Sequence, residues 1–142
     1  MVKDKFIMKL LEMLNGAVLR HKADSILLSG GLDTSALALI ASRAYKMEAM
    51  TVAFKDRPGP DVKYSQLIAG FLKIKRHLRM FDLDEALYAI NDVISILRTF
   101  DPAEIRNGIT IFFGLKHAKK LGFNSVMTGD GGTSCSPGMI IC

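Results

Sequence analysis

The segment Ser29-Gly30-Gly31-Leu32-Asp33-Thr34-Ser35 has the residue types and spacing for chemistry, and it follows directly on the apolar run Ile26-Leu27-Leu28. Two adjacent glycines allow positive φ and a sharp turn, so that successive backbone N–H groups converge on one point that suits an anion. Leu37, Ala38, Ile40, Ala41 and Ala44 then predict a helix that begins at Thr34 and Ser35 and turns its positive dipole end to the same spot. Ser29, Thr34 and Ser35 add hydroxyl donors. The pattern reads as a buried strand running into a phosphate loop. It lacks the lysine of GxxxxGK[ST], so it is not the loop that grips a terminal phosphate. Asp33 sits where negative charge would repel a polyphosphate, which makes sense if it holds Mg2+. The plain alternative is a strand-to-helix turn with Asp33 as an ordinary first-turn acid. All seven residues behind a buried strand favour the nucleotide reading.

The elements that must position this loop are legible in outline. Phe6, Ile7, Leu10, Leu11, Leu14, Ala17 and Val18 form a helical stripe between residues 4 and 20, which predicts a packing helix. Four apolar runs, near 25–29, 49–54, 77–81 and 124–128, alternate with helical patterns and predict parallel strands joined by crossovers, an α/β sheet. Between the third and fourth runs, Asp82 with Glu85 signals a capped helix that continues through Leu87, Ile90, Ile94 and Leu97. Asp101-Pro102-Ala103-Glu104 opens a second helix, ended by Gly122. Two helices therefore fill one crossover. No repeat, linker or low-complexity tract marks a second domain.

SGGLDTS resembles the SGGxDS signature of the N-type ATP pyrophosphatases, the pyrophosphatase-loop enzymes that cleave ATP to AMP and pyrophosphate. Thr51-Val52-Ala53-Phe54, the Asp101–Arg106 helix opening, Ala118-Lys119-Lys120-Leu121-Gly122 and Met127-Thr128-Gly129-Asp130-Gly131-Gly132 narrow the resemblance to the synthetase domain of asparagine synthetases. It runs from roughly residue 8 to 132. It implies an adenine nucleotide alpha hydrolase-like fold, a parallel sheet with helices on both faces in the strand order 3-2-1-4. Ligands of such sheets bind beyond the carboxyl ends where the order reverses, which would set SGGLDTS and TGDGG across one crevice.

The resemblance also implies roles. Leu28, Val52, Thr128 and Gly129 would surround adenine, although Leu28 and Val52 also read as plain strand core. Ser29, Gly30, Gly31, Thr34 and Ser35 would hold the β and γ phosphates, and Asp33 would hold Mg2+ between phosphate oxygens. Arg106 would touch phosphate or substrate, with a salt bridge to a neighbouring carboxylate as the alternative. The implied cofactors are ATP and Mg2+, and the implied reaction is that of an AMP-forming carbon–nitrogen ligase. A carboxylate is adenylated with release of pyrophosphate, and an amine then attacks the mixed anhydride.

Composition bounds the remaining possibilities. With 142 residues, 49% of them hydrophobic, the chain suits one compact domain with its own core. No run is long enough to span a bilayer and the N-terminus has no signal-peptide profile, so the expected location is the cytoplasm, without a membrane partner. A formal charge of +5 suits polyanions such as ATP, pyrophosphate or RNA. The densest basic cluster, Lys73, Lys75, Arg76, His77 and Arg79, lacks interleaved aromatics, and we read it as a solvated sheet end, not a nucleic-acid platform. His21, His77 and His117 show neither metal spacing nor a paired nucleophile, and no role is assigned to them. Both cysteines, Cys135 and Cys142, lie at the end, which disfavours disulfides, metal sites and sulfur transfer.

Residues 1–132 form the expected pyrophosphatase-loop domain; residues 133–142 do not fit it. After GDG and a small residue the family pattern is Asp-Glu-Leu-Phe, whose Asp resembles a second Mg2+ ligand, whereas here Thr133-Ser134-Cys135-Ser136 follows. A hydroxyl is a poor ligand for a hard cation. Written as GGG ACG AGC TGT TCN, the codons for Gly132 to Ser136 contain GAC GAG CTG TTC, Asp-Glu-Leu-Phe, in the neighbouring frame. We therefore expect an out-of-frame tail on a truncated parent. Three readings follow. The first is an ATP-binding, asparagine-synthetase-like domain with impaired turnover, whose parent acts on a small carboxylate. The second is a non-catalytic nucleotide-binding or oligomerisation module, and the third, less favoured, is a tRNA-thiolating protein of the pyrophosphatase-loop type. A sheet ending at its fourth strand leaves an open edge near Ser125–Thr128, so a homo-oligomer through that edge is expected. The competing outcome is that Met139, Ile140 and Ile141 fold back as a substitute strand.

Overall fold

The computed structural model describes residues 2–129 and 139–141. Helix α1 (Val2–Arg20) precedes β1 (Ser25–Leu27), α2 (Leu32–Ala44), β2 (Glu48–Phe54), α3 (Pro60–Leu72), β3 (Arg76–Phe81), α4 (Leu83–Leu97), α5 (Pro102–Lys120), β4 (Ser125–Met127) and β5 (Met139–Ile141). The first four strands pair in parallel in the order β3-β2-β1-β4, as expected. Strand β5 then runs antiparallel along β4, with Met127 opposite Met139. Of the two outcomes open for the β4 edge, the fold-back is the one observed. Its backbone groups are paired within the chain, and an oligomer through that edge loses its physical ground.

Alternation along the strands sends side chains to both faces of the sheet. Ile26, Leu28 and Ala49 face α1, α2 and α3, where Val18, Leu37, Ala38, Ala41 and Ala69 bury against them. On the other face, α4 and α5 cover β2 and β3 through Ala89, Val93, Ile109 and Phe113, with Phe81 stacked on Phe113 at 4.7 Å. Helices thus lie on both faces, as a parallel sheet requires.

The helix signals act locally as read. Asp82 accepts from the Glu85 amide at 3.0 Å, and the Glu85 carboxylate accepts from the Asp82 amide at 3.2 Å, a complete capping box. Asp101 accepts from the amides of Ala103 and Glu104, and Gly122 follows α5 at φ +85°. Helix α1 departs from expectation. Only its last turns pack: Val18 is buried and Leu14 half-buried, while Phe6, Ile7, Leu10 and Leu11 stand in solvent. Among the described residues, no helix is long and apolar enough to cross a membrane.

Candidate nucleotide site

Strand β1 ends at Leu27, and Leu28 carries the chain off the sheet toward the loop. Both polar backbone groups of Leu28 are pinned to β2. Its amide donates to Met50 O at 2.7 Å, and its carbonyl accepts from the buried Thr51 hydroxyl at 2.9 Å. The loop therefore leaves from a fixed point.

Of the two glycines, only Gly30 takes positive φ (+83°); Gly31, the N-cap of α2, is at φ −70°. The left-handed turn that the glycine pair allows is therefore made by Gly30. Gly30 is also where α3 docks, since a Cβ there would lie 2.6 Å from Tyr64 Cβ and 2.7 Å from the Ser65 amide nitrogen. Gly31 has ordinary room, its nearest neighbour being Ser29 Oγ at 3.4 Å. The loop hydroxyls close on one another. Ser35 and Thr34 donate to Gly31 O at 2.5 and 3.3 Å, and Ser29 Oγ lies 3.2 Å from Thr34 Oγ1.

Beyond the carboxyl ends of β1 and β4, and against the middle of the longer β2, lies a cavity of about 280 Å³. Its walls include Leu28, Ser29, Gly31, Asp33, Thr34, Val52, Thr128 and Gly129, so residues read from both motifs share one space. Thr128 is buried, and Gly129 lies so close to α2 that a Cβ would stand 2.7 Å from Thr34 Cγ2. At the opposite, amino ends, Asp24 fixes β1 beside β4: its amide donates to Ser125 Oγ at 3.1 Å and its carboxylate accepts from the Asn124 amide at 2.8 Å.

Gly30 and Ser35 do not line the cavity; they shape the turn from behind. Arg106 does not line it either. It is exposed on the first turns of α5, and its side chain forms no ion pair among the described residues, so the expected alternative of a salt bridge is not observed there. Its carbonyl accepts from Thr110 at 3.4 Å, and Thr110 is on the cavity wall, so Arg106 sits one helical turn beyond that wall. The expectations for Asp130, Gly131, Gly132, Thr133 and the two cysteines lie outside the described residues.

Six wall residues were not assigned from the sequence: Leu27, Leu32 and Met50, which neighbour residues that were, and three on more distant elements, Asp61 in the first turn of α3 and Thr110 and Ile111 on α5. Gly114 was the available signal for the α5 pair. A Cβ there would lie 2.6 Å from Leu27 Cδ2, so this mid-helix glycine lets α5 approach the sheet one turn below Thr110. Nothing in the sequence pattern marks Asp61.

The basic cluster is engaged within the fold. Arg76 donates to buried Ser65 at 3.3 Å, His77 Nε2 lies 2.5 Å from Glu48, and Arg79 pairs with Glu85. The His77 contact holds the Glu48 carboxyl below its ordinary range, with Lys75 adding attraction. His117 packs edge-on to His77, and burial pushes it below the usual imidazole value, aided by repulsion from His77, Arg79 and Lys120. Glu48, His77 and His117 lie toward the amino end of the sheet, whereas Arg79 and Glu85 lie where β3 runs into α4; none of these residues lines the cavity.

Residues 9–138 match the family model for asparagine synthase. The chain is 31% identical over 121 residues to a probable glutamine-hydrolyzing asparagine synthetase of Dictyostelium discoideum, an alignment covering 75% of this chain and 21% of that protein. It is 33% identical over 124 residues to a probable counterpart in Schizosaccharomyces pombe, covering 75% and 22%. With the Zea mays enzyme it shares 30% over 135 residues, covering 84% and 23%. The chain thus spans about a fifth of the length of these relatives. Among solved structures, NMN synthetase from Francisella tularensis superposes with a TM-score of 0.55 at 14% identity, covering 88% of this chain and 52% of that one. The NH3-dependent NAD synthetase from Campylobacter jejuni gives 0.53 at 13%, covering 88% and 54%. These two likenesses establish the adenine nucleotide alpha hydrolase-like fold.

Proposed function

The chain belongs to the asparagine synthase family, and on that premise we propose that its cavity binds ATP with Mg2+ and is built for adenylating a carboxylate ahead of amide formation. The observation that carries this reading is the convergence of Ser29, Gly31, Asp33 and Thr34 with Thr128 and Gly129 on one cavity, at the point where strand order reverses. Leu28, Met50, Val52 and Ile111 supply apolar contact for a base. Ser29, Gly31 and Thr34 face the phosphates, with Gly30 and Ser35 holding the turn. Phosphate binding exchanges hydroxyl bonds now closed on Gly31 O and Ser29 Oγ for bonds to the ligand.

Among the described residues, the cavity wall carries no cationic side chain and includes two carboxylates, Asp33 and Asp61. Its polar side chains are all oxygen donors, which fits Mg2+. Among the described residues no three His, Cys, Asp or Glu could hold a metal alone, so phosphate oxygens must complete the shell around Asp33. When bound, Mg2+ would offset the charge of the polyphosphate and of the departing pyrophosphate. In the step itself, a substrate carboxylate oxygen bonds to the α-phosphorus as the bond to the β-bridging oxygen breaks, and pyrophosphate leaves with the electron pair. Arg106, one turn outside the cavity on α5, is placed to meet a carboxylate reaching out from it.

A second reading, a binding module without turnover, is favoured by one observation: Arg106 stands outside the cavity wall. Calorimetric titration with MgATP, paired with a pyrophosphate-release assay over amino-acid carboxylates and ammonia, separates the two. Binding with release supports adenylation, and binding without release supports the module. No heat at millimolar MgATP overturns both.

A further inference from the structure

From Asp4 to Met13 every residue of α1 is exposed, nearly three helical turns with none of the described domain burying them. Such a segment on its own is too short to hold a helix in water by backbone bonding alone. Phe6, Ile7, Leu10, Leu11 and Met13 lie within a stripe roughly 160° wide that, from Asp4 to Met13, contains no charge and continues into Leu14, Ala17 and Val18. The same stripe is thus used at one end of the helix, where Val18 is buried against the domain, and left open at the other.

We infer that the open half of α1 is a self-association surface, covered by α1 of a second copy of this chain. Pairing one apolar stripe with itself makes a closed, two-fold contact that uses the same residues on both sides. The direction of pairing follows from the fold. From Leu14 onward each domain already occupies the inner side of its own helix, so parallel helices would bring two domains into the same space. Antiparallel helices, crossed by a two-fold axis near Met8 and Lys9, place the domains at opposite ends. Leu10 then meets Ile7 of the second copy, and Phe6 meets its Leu11.

The five side chains are between 44% and 70% exposed. They offer on the order of 500 Å² per copy and about 1,000 Å² in the pair, the lower bound for a specific interface. The dimer is accordingly weak, with dissociation on the order of 10–100 μM. This surface is remote in sequence from the nucleotide loop, and the inference does not depend on the proposed function.

Sedimentation equilibrium of the full chain over a range reaching millimolar tests it. The wild type should shift from monomer to dimer and no further. Leu10→Glu and Ile7→Lys should each weaken association at least tenfold while leaving the melting temperature at low concentration nearly unchanged, because both residues are exposed in the monomer. Met8→Glu, on the opposite side of the helix, should dimerise like the wild type. A monomer throughout overturns the inference, as does association that survives Leu10→Glu and Ile7→Lys. So does loss of association with Met8→Glu equal to that with Leu10→Glu.

Discussion

A Cβ placed on Gly129 would stand 2.7 Å from Cγ2 of Thr34, so the residue leaving β4 and the residue opening α2 are in direct contact although 95 positions separate them. Thr34 cannot swing freely, because its hydroxyl donates to Gly31 O and meets Ser29 Oγ. Gly129→Ala should therefore displace Thr34 and disturb the phosphate loop. We expect ATP affinity to fall about tenfold, a loss of about 1.4 kcal/mol in binding. Titration calorimetry on the wild type and the variant checks this.

The two loop glycines should respond unequally to alanine. Gly30→Ala meets both the positive φ and the backbone of α3, and should destabilise the fold by about 2–4 kcal/mol. Gly31→Ala, with φ −70° and ordinary room, should cost only about 0.5–1 kcal/mol, the difference between glycine and alanine as an N-cap. Urea denaturation of the pair measures the contrast; equal effects would contradict the geometry of the turn.

Metal dependence isolates Asp33. MgATP at about ten times its dissociation constant should stabilise the folded chain by about 1.4 kcal/mol, raising the melting temperature by roughly 3–6 °C. Asp33→Ala should remove most of the part that requires Mg2+. A melting temperature insensitive to MgATP in the wild type would refute the site.

Acid should weaken the fold through the cluster at the amino end of the sheet. His117 is held below its ordinary value of 6.5, so the unfolded chain binds the extra proton, and its stabilising share is present above 6.5 and lost as pH falls below it. Glu48 is held below 4.5 by His77 and Lys75, so its share is present above 4.5 and lost as pH falls further. Chemical denaturation at a series of pH values should show stability falling with acid in two stages. Glu48→Gln should flatten only the lower stage, and His117→Phe only the upper.

The tail makes a genetic prediction. Sequencing the gene across the codons for Gly132 to Ser136 should reveal Asp-Glu-Leu-Phe in the adjacent frame. Codons that cannot be reread in that way would remove the frameshift account of residues 133–142.

Sequence alone determined the glycine turn behind β1, the alternation of four strands with helices and the caps of α4 and α5, because each rests on interactions or periodicity within a short stretch of chain. Asp82 with Glu85 closes its own box, and Gly30 makes its own turn. The family motifs further implied which strand ends would meet. Tertiary structure alone decided that Asp61, Thr110 and Ile111 wall the cavity, since a helix's rotation and depth against a sheet are set by packing partners far along the chain, as Gly114 against Leu27 shows. It also left Arg106 one turn outside, and paired His77 with Glu48, where only the β2–β3 register brings an acid to the base. Helix α1 illustrates the limit most plainly. Periodicity fixed which face of it is apolar, but not how far the domain extends beneath that face, because burial is a property of the assembled surface and not of the stripe.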